Sequence, residues 1–183
     1  MIKQALTISA LLSATFLLTA QEPPKMPVPV KEHEWLQQFV GEWEGEAEIH
    51  MEPGKPPVKS KGSETVRRLG GFWIISEGKS DMMGAPFNHV LTIGYDPDSK
   101  KYVGAWVDSM TSHLWKYEGT VDPTGKVLTL ETEGPCPQKP GKLSKFREVT
   151  EFKSKDHRVF TSSMQGEDGK WTTLVTGNSR RKK

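Results

Sequence analysis

The stretch Gly41-Glu42-Trp43-Glu44-Gly45-Glu46-Ala47-Glu48-Ile49-His50-Met51-Glu52 decides the fold. Its period is two. Trp43, Gly45, Ala47, Ile49 and Met51 fall on one side, and Glu44, Glu46, Glu48, His50 and Glu52 on the other. A strand with one buried and one wet face sorts residues this way. The run before it, residues 31–40, keeps a different rhythm. Trp35, Leu36, Phe39 and Val40 recur at helical spacing, and Gly41 ends the run. A short amphipathic helix therefore hands over to a strand at Gly41.

Further strands follow at 63–69, 72–80, 89–95, 101–108, 113–121, 127–133, 145–153, 157–164 and 171–179. Their connectors carry turn chemistry. Asp96-Pro97-Asp98 and Asp122-Pro123-Thr124-Gly125 combine a preset proline φ with an aspartate that caps its own turn. Asp168-Gly169 marks a tight hairpin. Short strands joined by hairpins, with almost no helix, predict an all-β fold: an antiparallel up-and-down barrel of ten strands behind a short N-terminal helix. An open β-sandwich is the alternative.

Upstream, Lys3, the apolar run 5–18 and Ala20 fit a secretory signal peptide over residues 1–20. The chain is then expected to be exported, periplasmic or extracellular, without stable membrane insertion. Residues 21–30 carry Pro23, Pro24, Pro27 and Pro29 and read as a linker. Residues 31–183 suit one domain with a single core. The 25 basic and 23 acidic side chains nearly balance, and the basic run 180–183 is short. Nucleic-acid binding, which needs a concentrated basic face, is not expected. A single cysteine excludes an internal disulfide. Pro135 and Pro137 flank that residue, Cys136, and place it in a loop where an exposed thiol is one option.

One hairpin carries the candidate site. With a four-residue loop at 109–112, Asp108 lies opposite His113, Trp106 opposite Trp115, and Gly104 opposite Tyr117. One face then presents Tyr102, Trp106, Asp108, His113, Trp115 and Tyr117. Trp and Tyr offer large apolar area with a polar tip, which suits a ligand pocket. Trp73 and Glu77 join them as candidate ligand contacts. Asp108 and His113 at the pocket mouth are the candidate catalytic pair, His113 as general base and Asp108 orienting it. The alternative is that the tryptophans are core and the pair caps a hairpin. The five histidines are scattered, so no metal is expected, although a set drawn from distant strands, such as His113, Asp108 and Glu77, stays open.

The entry into the first strand resembles the calycin superfamily of lipocalins and fatty-acid-binding proteins, in which a short helix precedes Gly-x-Trp. Here the match is Gly41 and Trp43 after residues 31–40. The resemblance implies that Trp43 closes the barrel floor and stacks on an arginine near the end of the last strand, Arg180 or Arg181. Gly41, Trp43 and Gly45 are then structural residues. A closer resemblance covers nearly the whole mature chain. It is to bacterial, often exported calycin-like domains of unknown function, and rests on 36–45, 70–74, 94–97, 102–109, 128–135, 156–159 and 169–171. It implies the fold and no activity. Nitrobindin-like haem barrels share Gly41-Glu42-Trp43-Glu44-Gly45, but residues 170–183 contain no His and His157 sits beside a turn, so no cofactor is expected. The leading expectation is a barrel that binds a small hydrophobic or amphipathic molecule. An isomerase or hydrolase using Asp108 and His113, or a protein-docking module, are the alternatives.

Overall fold

A computed structural model of the chain describes residues 26–52, 54–137 and 139–183. The expected signal peptide, 1–20, and linker residues 21–25 lie outside the described residues. Residues 26–30 are exposed and form no regular element. Lys31–Trp35 forms an α-helix, α1, and Leu36–Phe39 continues it as a 3-10 turn.

Ten strands follow: β1 Gly41–Ile49, β2 Val58–Leu69, β3 Trp73–Met82, β4 Ala85–Asp96, β5 Lys101–Asp108, β6 Trp115–Val121, β7 Val127–Pro135, β8 Leu143–Ser154, β9 His157–Gln165 and β10 Trp171–Arg181. Each is antiparallel to the next, and β1 pairs with both β2 and β10. The sheet is thus a closed up-and-down barrel and not an open sandwich. Closure removes the sheet edges that would otherwise template aggregation.

The connectors behave as their chemistry dictates. Asp122 Oδ1 accepts the backbone N–H groups of Lys126 and Val127 at 3.0 and 2.9 Å, which folds the β6–β7 turn. Asp96 does the same between β4 and β5, taking the Asp98 N–H and the Ser99 hydroxyl.

Strand period two sends every second residue inward. At one end of the barrel this stacks Trp43, Val66, Ile74, Ile93, Tyr102, Leu128 and Phe152 into the main core. Trp35, Leu36 and Phe39 of the helical segment cap that core. The cap is held by hydrogen bonds as well as by area. Trp35 Nε1 donates to the Gly125 carbonyl at 2.8 Å, and the Tyr102 hydroxyl donates to the Glu32 carbonyl at 3.2 Å. On the outside, β1 and β2 carry charge. Lys61 pairs with Glu46 at 3.0 Å and Lys59 with Glu48 at 3.6 Å. That charged face is the reverse of the apolar outer band of a membrane-spanning barrel.

Trp43 is the floor. It is 1 % exposed, and its Nε1 donates to the Phe39 carbonyl at 2.8 Å. Two guanidiniums lie over its ring, Arg158 at 4.3 Å and Arg181 at 4.4 Å from the centroid. Arg181 is therefore the residue that meets Trp43, and it lies beside it in the β1–β10 register. Arg180 is exposed and sits opposite Glu44. Gly41 and Gly45 make this closure fit. Gly41 has φ +132 and a Cβ there would run into the Arg181 guanidinium, while one on Gly45 would strike the β10 backbone at Asn178.

The option of an exposed thiol at Cys136 does not hold. The residue follows β7 in an irregular segment, yet its side chain is buried with Phe146 and Met164 in a second apolar cluster. It continues the inward phase of Leu128, Leu130 and Thr132.

Replacing Trp43 with alanine removes a fully buried ring, a hydrogen bond and two cation contacts. The expected cost is about 3–5 kcal/mol, read as a lowered midpoint in urea unfolding with unchanged slope. A loss below about 1 kcal/mol contradicts the floor assignment.

Candidate functional site

Above the floor the barrel is not filled. A cavity of about 440 Å³ runs from Trp43 and Phe39 towards Ser60, Met82, Phe87 and Asp108 at the other end. Inward residues of nearly every strand line it, so the alternation that builds the core also builds the site.

The β5–β6 hairpin supplies its aromatic wall. Trp106 pairs with Trp115 and Gly104 with Tyr117, the register expected from a four-residue loop. Trp106, Asp108, Trp115 and Tyr117 all line the cavity. Tyr102 points to the same side one step lower, where it is sealed in the floor among Trp35 and Tyr95. Trp73 and Glu77 are elsewhere. Ile74 and Ser76 occupy the inward phase of β3, so their odd-numbered neighbours face outward. Trp73 is 39 % exposed, and Glu77 pairs with Arg67 at 3.8 Å.

Asp108 and His113 are not joined by a hydrogen bond or ion pair. The Asp108 carboxylate is taken up by its own turn. Oδ1 accepts the Met110 and Thr111 N–H groups at 2.8 and 2.9 Å, and Oδ2 accepts Trp106 Nε1 at 3.1 Å. His113 lies outside the cavity lining, donates from Nε2 to the Glu133 carbonyl at 3.3 Å, and stands edge-on to Trp115. The residue across from Asp108 on the neighbouring strand is His89. Its ring stacks on Trp106, centroids 4.0 Å apart, and its Nδ1 is buried without a hydrogen-bond partner. Burial holds His89 below its ordinary pKa, against the pull of Glu64 and Asp108, and so favours the neutral ring.

Polar groups inside the barrel form two sets. Glu64 on β2 accepts from Arg158 on β9 and from the Ser76 hydroxyl on β3. Arg158 is almost wholly enclosed and also lies over Phe39 at 5.5 Å. Burial draws its pKa down, and Glu64 opposes this. The second set is on β8 and β9. Glu148 Oε1 accepts the Ser162 hydroxyl at 3.0 Å, and Glu148 Oε2 has no hydrogen-bond partner. Burial pushes the Glu148 carboxyl up to about 7, with the Ser162 hydrogen bond working against it. Tyr117, facing Glu148 and Asp108, is raised by burial and by both charges.

Glu64, His89, Glu148, Arg158 and Ser162 are the site residues that motif reading misses. A signal for them exists. Glu148 lies in phase with Phe146 and Phe152, and Arg158 with Phe160 and Met164. A charged residue on the apolar phase of a strand is a buried charge, and buried charges need partners. Among the described residues, no group of three or more His, Cys, Asp or Glu is placed to hold a metal ion.

The fold and its cavity define a calycin-like barrel. Residues 28–181 match the family described as protein of unknown function (DUF1579), and the chain belongs to that family. Among solved structures, it is similar to Rv2717c from M. tuberculosis, at 14 % identity and TM-score 0.60, over 85 % of this chain and 100 % of that one. It is also similar to the S-type phycobiliprotein lyase CPES from Guillardia theta, at 14 % identity and TM-score 0.52, over 82 % and 92 % of the two chains. Both likenesses are of fold. No curated protein matches the chain.

Two outcomes follow from the buried charges. Arg158→Met strands the Glu64 carboxylate, and is expected to cost about 3–5 kcal/mol, most of it recovered in the Glu64→Gln, Arg158→Met double variant. Chemical denaturation of the three proteins checks this. Glu148 has a native pKa above its unfolded one, so its protonated form favours the fold. Its contribution is present below pH 4.5 and is lost as pH rises to about 7. Glu148→Gln should therefore stabilise the protein by about 1–3 kcal/mol at pH 8 and by little at pH 4.5, measured as unfolding midpoints at both pH values.

Proposed function

We propose that this protein binds a small amphipathic molecule inside the barrel. One observation carries the reading: an unfilled cavity of about 440 Å³, walled by aromatic and aliphatic side chains, whose lining includes two residues with unpartnered polar atoms, His89 and Glu148. Sites for small ligands are typically of roughly 300–1,000 Å³, mostly apolar, with a few convergent polar groups. A core meant only for stability closes such space, because voids forfeit dispersion contacts. A docking module would need no cavity. The resemblance of 1–20 to a secretory leader extends the proposal to an exported binder, acting in a periplasm or outside the cell.

Ligand retention tests it directly. Native mass spectra of the full chain, purified from its source and compared with the denatured sample, should show a discrete extra mass that denaturation releases. The neutral probe N-phenyl-1-naphthylamine should bind one to one with a blue-shifted emission. Ala47 lines the cavity from β1. Ala47→Phe fills the space and should weaken the probe at least about tenfold, the scale of losing one ring's worth of pocket. Probe binding that is absent, or unchanged by this substitution in a folded variant, overturns the reading.

A further inference from the structure

The chemistry of the ligand is written in the hydrogen bonds the barrel leaves unmade. Buried polar atoms are nearly always partnered, so an orphan inside a cavity marks a place where something else belongs. Two orphans belong to cavity-lining residues, Glu148 Oε2 and His89 Nδ1. A carboxylate only accepts, so Glu148 Oε2 points to a ligand that donates, while a neutral imidazole nitrogen donates or accepts according to its tautomer and can serve either way.

The charge balance narrows the class. The ionisable groups facing inward with Glu148 are Glu64 on β2, His89 on β4, Asp108 on β5, Tyr117 on β6 and Arg158 on β9. Glu44 and Glu46 on β1 and Lys79 on β3 border the cavity but are exposed to solvent. The residues directly opposite Glu148, Leu130 on β7 and Ser162 on β9, do not titrate. Arg158 is the one buried cation among the described lining residues, and Glu64 holds it. Asp108 is satisfied by Trp106, Met110 and Thr111. Glu148 is left with a single neutral hydroxyl for two oxygens. A cationic ligand supplies both missing things, a positive charge and N–H donors. The rings beside it suit the same guest, since a cation is attracted to aromatic faces such as those of Trp115 and Tyr117.

Resting on the reading of the barrel as a small-molecule binder, we propose that its ligand is a primary or secondary alkylamine, bound as its ammonium ion, with an apolar or aromatic body, anchored by the Glu148 carboxylate. An anion would meet an uncompensated carboxylate, and a neutral hydrocarbon would leave Oε2 unpaired. The buried carboxyl takes up a proton readily near neutral pH. Amine binding therefore requires its release, and affinity should fall as the pH drops.

Calorimetric titration of the full-length protein with three probes of one shape tests this: 4-phenylbutylamine, 4-phenylbutan-1-ol and 4-phenylbutyrate. At pH 8 the amine should bind at least about tenfold more tightly than the alcohol, with the carboxylate weakest. In Glu148→Gln the amine should fall to within about threefold of the alcohol, whose own affinity stays unchanged. In the wild type the amine, and not the alcohol, should lose about tenfold between pH 6 and pH 5, the slope of one linked proton. This series needs no variant and decides the matter if Glu148→Gln fails to fold. An alcohol that binds as tightly as the amine, or an amine preference that survives Glu148→Gln, overturns the anchor and leaves the cavity reading intact. The anchor also falls if the three probes fail while N-phenyl-1-naphthylamine binds. Failure of all four overturns both.

Discussion

The indole of Trp43 and the two guanidiniums over it are the contact on which the rest depends. The ring ties four parts of the chain together. It bonds the end of the helical segment through Phe39, belongs to β1, and takes Arg158 from β9 and Arg181 from β10. Arg181 in turn donates to the Val40 and Gln38 carbonyls and pairs with Asp156 at 3.2 Å. Once Trp43 points inward, period two leaves no freedom. Gly45, Ala47 and Ile49 follow it, and the register passes from strand to strand around the closed sheet.

Much of this is legible in the sequence, because the fold rests on local signals. Ten strands stand where alternation and turn residues put them, and the Trp106–Trp115 and Gly104–Tyr117 pairs follow from loop length alone. What local signals miss is competition between partners. Asp108 and His113 have the spacing of a pair, yet backbone N–H groups of the turn reach the carboxylate first. Trp73 and Ile74 are adjacent and both apolar, and only the phase of β3 as a whole shows which one enters the core. The prolines beside Cys136 suggest a loop residue, while the phase of β7 carries it inward. The polar interior escapes for a related reason. No motif joins Glu64 to Arg158 or Glu148 to Ser162, because closure of the sheet creates their neighbourhood.

The interior divides by height. Near the floor, polar groups are matched: Glu64 with Arg158 and Ser76, Tyr102 with Glu32. Higher up, matching stops and space opens, and there Glu148 and His89 keep unpartnered atoms. On the proposed reading, stability and recognition are assigned to different levels of one barrel. The matched pair at the floor fixes the shape of the cavity above it. The unmatched carboxyl of Glu148 costs stability, which the proposed ligand would return.

The closing contact also sets the order in which the molecule can form. Arg181 reaches Val40 across 141 positions of the chain. Every hairpin of the barrel can pair with its neighbour early, but the floor cannot be sealed until β10 has arrived beside β1. Contacts between such distant residues demand loop closure before they return any energy, which makes for slow folding. Until that moment β1 and β10 are open edges and the cavity has no base. A chain in which β1 and β10 have not yet met has strands but no vessel.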